Sequence, residues 1–387
     1  MTDDSTEIVT TFIDDGTSTG IEAEDTESEG QITEPFDPTL IRVETKPMSL
    51  DALIARMREG EIDLIPGFQR KGGIWKEEVQ SRLIESILIR IPLPAFYMDA
   101  TNEDKWLVVD GLQRLTTLKR FVIKKDLKLK GLEFLKLHGK GFDDLPRNFQ
   151  RRINETQATV YLIEKGTPPE VKFNIFKRIN TGGAPLAAQE IRHALNQGKA
   201  TTFLEDLANS QEFKRAADYS IRDDRMADRE CVLRFLAFSI VPYTDYKAQD
   251  FDSFLSERMA EMNKFSDQRL GRLRQQFLRA MRAAFDIFGT HAFRKRYSRQ
   301  ASRLPINKAL FEAWSINLDR LNDEQIEYLI NRRDAVQESF IKLMNEDRDF
   351  ENSISLSTGS SRKIEYRFQA IEKLIGEVLH DPHTTSP

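Results

Sequence analysis

Three short stretches of this 387-residue chain combine residue types that can hold a phosphate group. The most informative is Val108-Val109-Asp110-Gly111-Leu112-Gln113-Arg114-Leu115-Thr116-Thr117-Leu118. A strand-like apolar run ends on an aspartate, a glycine permits a tight turn, and a helical pattern begins at once. The N–H groups left free at a helix start, with the positive end of its dipole, favour an anion. Arg114 adds a planar fork that suits phosphate oxygens, and Gln113 an amide donor. Asp110 has the chemistry to hold a divalent cation through water or to orient a hydroxyl. The plainer alternative is an ordinary strand–turn–helix with Asp110 as N-cap and Arg114 in a surface ion pair.

The second stretch, Leu64 to Trp75 (LIPGFQRKGGIW), sets Gln69 and Arg70 on a glycine-containing loop between apolar anchors. That composition suits an anion, or simply a surface loop pinned by Phe68 and Trp75. In the third, Phe173 to Gly183 (FNIFKRINTGG), Asn180 and Gly182 stand where left-handed conformations end a helix. Histidine offers little: His138, His193, His291, His380 and His383 form no constellation with other metal-ligating residues. His193, in EIRHAL, reads as helix packing. The single Cys231, in RECVLRFLAF, reads as core packing in a reducing cytosol, and a structural zinc site is excluded.

These stretches need elements to position them. A short strand is expected at residues 39–43 and a helix from Leu50 to Arg58, ended by Gly60. Trp75, Val79, Leu83, Ile87 and Ile91 recur every fourth residue, which predicts an amphipathic helix stopped by Pro92 and Pro94. Ala95–Met98, Trp106–Val109 and Thr159–Ile163 read as short strands, with a helix from Leu112 to Phe121. Thr167-Pro168-Pro169-Glu170 predicts a capped helix start, and the helix runs to Asn180. Beyond residue 200 the pattern is helical, with segments at Arg229–Ile240, Phe251–Phe265, Leu270–Phe288, Asn307–Ile316, Asp323–Met344 and Arg362–Leu379. The polar loop Ser357-Thr358-Gly359-Ser360-Ser361 precedes the last of these. The fold class is therefore α+β: a disordered tail over 1–38, a mixed α/β domain over 39–200 and an α-helical domain over 201–380.

Charge is distributed unevenly. Residues 1–41 hold twelve acidic side chains and no Lys or Arg, so the net charge of −5 hides a body that is mildly basic. The acidic, Thr/Ser/Gly-rich start is the reason for expecting disorder there. Residues 269–308 carry eleven basic side chains against the single acid Asp286. Such a run is usually a solvated helix face. As a nucleic-acid surface it would act through Arg294, Lys295, Arg296 and Arg299. No run of the roughly 18–20 apolar residues of a membrane helix occurs. The opening MTDDSTEIVT has no basic region or apolar core of a secretory signal, so a cytoplasmic protein without membrane attachment is expected.

Taken together, IPGFQR…W, LIESIL…IP, VVDGLQRLTTL and FNIFKRINTGGAPLAAQEIRHAL resemble, in order, the N-terminal domain of GmrSD-type restriction endonucleases. The resemblance covers about residues 45–200, with a loose match around Thr358 and Arg367. It implies a ParB/sulfiredoxin-like fold and a nucleoside-triphosphate-binding, often hydrolysing, module in bacterial defence against foreign or modified DNA. By resemblance, Gln69, Arg70, Gly111, Arg114, Thr116 and Asn180 bind the nucleotide. Asp110, Gln113 and Arg114 are the catalytic candidates, and Asp110 the ligand for Mg²⁺. The family motif is Asp-Gly-Gln-Gln-Arg, and Leu112 replaces its first Gln, which puts hydrolysis in question while leaving binding. No HNH nuclease constellation is present, so DNA cutting would fall to a partner nuclease subunit or to a carboxylate site that the motifs do not mark. The competing class is a non-enzymatic DNA-binding or scaffold protein that keeps the fold.

Overall fold

The structure is a computed structural model, and it describes residues 10–12, 18–24, 41–64, 75–179, 187–222, 225–247 and 250–380. The chain divides into two compact units, Pro35–Leu186 and the combination of Met1–Glu34 with Ala187–Pro387. In chain order, a hairpin of β1 (Thr10–Phe12) and β2 (Ser18–Glu22) comes first and belongs to the second unit.

The first unit is built on β3 (Val43–Ser49), β4 (Ile62–Asp63), β5 (Phe96–Asp99), β6 (Trp106–Asp110) and β7 (Gln157–Ile163). Their order in the sheet is β3-β7-β5-β6-β4. The outer pair β3–β7 and the central pair β5–β6 are antiparallel, whereas β5–β7 and β4–β6 are parallel. The first helix, α1 (Leu50–Glu59), starts where Ser49 Oγ accepts the Ala52 N–H. It stops at Gly60, whose left-handed φ of 76° lets its N–H reach the Arg56 carbonyl. Leu50, Leu53, Ile54 and Met57 form its buried face.

Two further helices carry the motif blocks, α2 (Glu77–Leu88) and α3 (Leu112–Leu118). Glu85, from the LIESIL block, is buried and accepts the N–H groups of Glu133, Phe134 and Leu135 at 2.9, 2.8 and 2.7 Å. Burial alone would raise its pKa, but these three bonds outweigh it and hold the carboxyl below its ordinary value. After Leu118 the helix widens into a π-helical turn, Lys119–Lys124, where a plain α-helix to Phe121 is the sequence expectation. The unit is completed by α4 (Arg147–Glu155) and α5 (Pro169–Ile179). Thr167 Oγ1 accepts the Arg42 N–H at 3.2 Å, tying the segment before α5 to the entry of β3.

The second unit is helical: α6 (Ala188–Leu195), α7 (Lys199–Ala208), α8 (Gln211–Ala216), α9 (Ala227–Ile240), α10 (Phe251–Met262), α11 (Asp267–Phe288), α12 (Lys308–Asp319), α13 (Asp323–Asn331), α14 (Arg333–Glu346), α15 (Arg348–Ser355) and α16 (Ser361–His380). The stripe Leu270, Leu273, Phe277, Met281 and Phe288 is buried against aromatic neighbours such as Phe213, Phe235, Trp314 and Phe340. The single helix read over Asp323–Met344 is two helices that break at Arg332. The α/β-to-helical division falls near residue 186 rather than 200, because α6 packs with the helical unit. Its Arg192 is wholly buried and bonds Asp252 at 2.7 Å.

The disordered-tail reading fails for residues 18–24. Ile21 is completely buried, and Glu22 N–H donates to the Ile306 carbonyl at 2.8 Å. Glu24 bonds Arg234 at 2.6 Å and Lys308 at 3.1 Å. Burial pushes the Glu24 carboxyl upward, but Arg234 and Lys308 prevail and hold it at about 2. A carboxylate depressed in the folded state stabilises above its unfolded pKa and loses that contribution as pH falls through the folded value. The helical unit should therefore lose on the order of 3 kcal/mol from this group as pH drops from about 4.5 to about 2. Melting curves across that window should fall more steeply for wild type than for Glu24→Gln. Parallel curves would show that Glu24 does not titrate within the fold.

Candidate functional site

The strand–turn–helix at residues 106–118 does form, and a bulge shapes it. Tyr97 pairs with Asp110 and Met98 with Val108, so the ladder skips Val109 and turns the end of β6. Gly111 follows with φ of +100°. A Cβ there would lie 2.3 Å from Cδ1 of Phe96, a fully buried ring, so this turn requires glycine. The N-cap of α3 is thus Gly111 and not Asp110.

Arg114 turns back beneath the turn. It donates to the carbonyl of Pro94, to the carbonyl of Ala95 at 3.1 Å and to Oδ2 of Asp110 at 2.7 Å. Its guanidinium lies 4.5 Å from the centroid of the Phe96 ring, and the side chain is only 9% exposed. Arg114 is thus in an ion pair, as the plainer reading has it, but the pair is largely buried and not on the surface. It clamps the start of β5 to the end of β6. Burial raises the Asp110 carboxyl against the pull of Arg114, and burial lowers the Arg114 guanidinium against the pull of Asp110. Both shifts follow from placing an ion pair where water is scarce.

Gln113 points elsewhere. Its Oε1 accepts the backbone N–H of Trp75 at 3.2 Å, while the Trp75 carbonyl accepts from Gln80 at 3.0 Å. Gln80 is fully buried on α2, and Arg120 of the π-helical turn donates to it at 2.8 Å. The C-terminal end of the Gln69/Arg70 stretch is therefore fixed against the Asp110–Arg114 turn. Gln69, Arg70 and Asn180 themselves lie outside the described residues. Thr116 lines a separate cleft of about 300 Å³ with Asp63, Lys105, Lys119, Arg120 and Lys124 among its walls. Asp110, Gln113 and Arg114 do not line that cleft.

Two residues beside the turn escaped the sequence reading. Tyr97 and Tyr161 stack with ring centroids 4.8 Å apart, and both are partly exposed. Burial, Tyr161 and the Asp110 charge together raise the Tyr97 hydroxyl above its ordinary pKa. Neither had a motif; only the parallel pairing of β5 with β7 places them side by side. As for a metal, one oxygen of Asp110 is already held by Arg114, and no group of three or more His, Cys, Asp or Glu side chains that could hold an ion occurs among the described residues.

The basic run at 269–308 is mostly consumed inside the helical unit. Arg294 is 2% exposed and donates to the carbonyls of Thr290, Leu304 and Ala217 and to Ser220. Lys295 is 5% exposed and pairs with Glu22 at 2.6 Å. Arg296 is buried against Ser298, Gln337 and Arg299. Of the four residues read as a nucleic-acid surface, only Arg299 is exposed, and it pairs with Glu338. Arg274, Arg279, Arg282 and Arg303 are likewise paired, with Asp206, Asp323, Glu212 and Asp218. Three of the four candidates are thus structural side chains. His193, on α6, is also largely buried, and burial with the nearby Arg229 charge lowers its pKa to about 4, which leaves it neutral near pH 7.

Residues 50–196 match the family model of the GmrSD restriction endonuclease, N-terminal domain. This is the segment on which the four motif blocks lie, and the match agrees with the resemblance those blocks carry. A domain of restriction endonucleases suggests a restriction or defence role. No curated protein matches the chain at a significant level. No helix among the described residues is long and apolar enough to cross a membrane.

Proposed function

We propose, with the GmrSD-type N-terminal domain of residues 50–196 as premise, that this chain is a nucleoside-triphosphate-binding module of a bacterial DNA-restriction or anti-phage system acting in the cytoplasm. The observation that carries the reading is the Gln113–Trp75 bond, which joins two sequence blocks that composition alone marked as anion-binding. The phosphates meet the Asp110–Gln113 turn, with Gln69 and Arg70 supplied by the adjoining loop. Arg114 serves as a positioning residue, holding Asp110 and the start of β5 so that the turn keeps its shape. The ParB/sulfiredoxin-like likeness of the domain belongs to the same proposal.

Binding is the activity proposed first, because Leu112 stands in place of the first motif glutamine. Hydrolysis, a bound Mg²⁺ and a catalytic part for Asp110 are further steps of the same reading. DNA contact and cutting fall to a partner nuclease subunit. A scaffold reading gains support from one observation, the three internal acceptors that hold Arg114. Thermal melts with ATP, GTP, CTP and UTP, each with and without Mg²⁺, separate the two. A nucleotide present at 100 times its Kd should stabilise by about 2.7 kcal/mol. Melts that no nucleotide shifts would leave the scaffold reading standing.

A further inference from the structure

The cleft that Thr116 lines takes no part in the nucleotide site proposed above, and its charges do not balance. It holds about 300 Å³ between β4 and the helix that runs from α3 into the π-helical turn. All of it lies within the unit of residues 35–186. Four cations line it, Lys105, Lys119, Arg120 and Lys124, against the single acid Asp63.

Two of the four are already engaged. Lys105 pairs with Asp63 at 2.9 Å, and Arg120 pairs with Glu77 at 3.2 Å and Asp126 at 3.1 Å. Lys119 and Lys124 have no carboxylate partner among the described residues. Other lysines of the same stretch do have one. Lys125 pairs with Asp143 at 2.7 Å, Lys128 with Asp144 at 2.9 Å and Lys130 with Glu77 at 2.9 Å. From Lys119 to Lys130, then, the two cations without an acid are both cleft residues. Like charges that share one cleft repel, and an anion between them replaces repulsion by attraction.

The backbone brings the two lysines together. In an α-helix, positions five apart point about 140° away from each other. The turn Lys119–Lys124 is π-helical, and its i→i+5 bonds set the first residue and the last nearly one above the other. A plain α-helix would carry Lys124 off the side that Lys119 and Thr116 share, whereas the widened turn keeps all three on the cleft.

Two ammonium groups and a hydroxyl suit a phosphate monoester, which carries about two negative charges near neutral pH. Met57 and Ile62 also line the cleft and offer an apolar surface to the rest of such a molecule. The volume is at the small end of the range for small-molecule sites, about 300–1,000 Å³.

We propose that the cleft between β4 and the π-helical turn binds a small phosphate monoester with an apolar body, its phosphate held by Lys119 and Lys124. The site is separate from the Asp110–Gln113 turn, and the proposal does not depend on nucleotide binding there.

Phenyl phosphate is the probe, titrated calorimetrically into the full chain at low salt, with phenol as the control. Wild type should bind phenyl phosphate saturably and phenol not at all. Lys119→Gln/Lys124→Gln should bind it about tenfold or more weakly, and Lys119→Arg/Lys124→Arg should keep most of the affinity. Lys125→Gln removes the same charge from a neighbouring lysine that does not line the cleft, and it should bind as wild type does. Melting curves of the glutamine double variant should match wild type, because neither lysine holds a carboxylate of the described fold. No saturable binding to wild type, equal affinity in wild type and the glutamine double variant, or as large a loss in Lys125→Gln would overturn the proposal. A single-stranded oligonucleotide that needs Lys119 and Lys124, where phenyl phosphate does not bind, would overturn it too and make the cleft a nucleic-acid surface.

Discussion

Arg114→Ala is expected to destabilise the unit of residues 35–186 by roughly 3–5 kcal/mol. The side chain is 9% exposed and serves three acceptors, the carbonyls of Pro94 and Ala95 and the carboxylate of Asp110. Removing it leaves the half-buried Asp110 carboxylate and the Pro94 and Ala95 carbonyls without their donor, and it strips the cation from the face of Phe96. Arg114→Lys should recover only part of the loss, because an ammonium is a point charge and cannot reproduce a planar fork. Urea melts of both variants, with hydrogen exchange to assign the loss to the sheet unit, provide the check. A fully stable Arg114→Ala that had lost nucleotide affinity would mean that Arg114 leaves this clamp to face the ligand.

Arg234→Ala is expected to have an effect of similar size in the other unit. Its guanidinium lies 2.6 Å from Glu24, 3.0 Å from Glu230 and 3.5 Å from Glu312, and its side chain is 4% exposed. Three carboxylates would be left with Lys308, Arg192 and Arg367 as the remaining cations of the network. The loss should be about 3–5 kcal/mol, and exchange at residues 20–24 should quicken, because their main charged partner is gone. Stability unchanged by the substitution would show that the network contributes nothing net.

The sequence revealed those features that depend on neighbours along the chain. Apolar spacing of three and four residues located α2 and α11, short apolar runs located β5, β6 and β7, and Gly60 ended α1 as expected. The turn at Gly111 was legible because strand, glycine and helix are contiguous. What contacts Arg114 was not, since its carbonyl partners lie 19 and 20 residues earlier and nothing local distinguishes a buried arginine from a solvated one. The same limit explains the basic run. Lys295 finds Glu22 across 273 residues, so counting charges over residues 269–308 could not show that its cations face inward. The acidic start misled for the complementary reason: low hydrophobicity implies disorder only if the charges remain in water, and Glu22 and Glu24 do not. The π-helical turn after Leu118 had no signal in residue spacing, because KRFVIK fits an ordinary helix equally well.

The central claim is that the Asp110–Gln113 turn binds nucleoside triphosphate phosphates, and the most direct test is calorimetric titration of the nucleotide into wild type and Gln113→Ala. The variant removes a partly exposed side chain that accepts the Trp75 N–H, and melting curves establish that both proteins are folded. Wild type should bind at least one of ATP, GTP, CTP or UTP saturably. Gln113→Ala should bind it about tenfold or more weakly, the effect of losing one hydrogen bond to a charged group. No saturable binding to wild type, or equal affinity in the two folded proteins, would contradict the account.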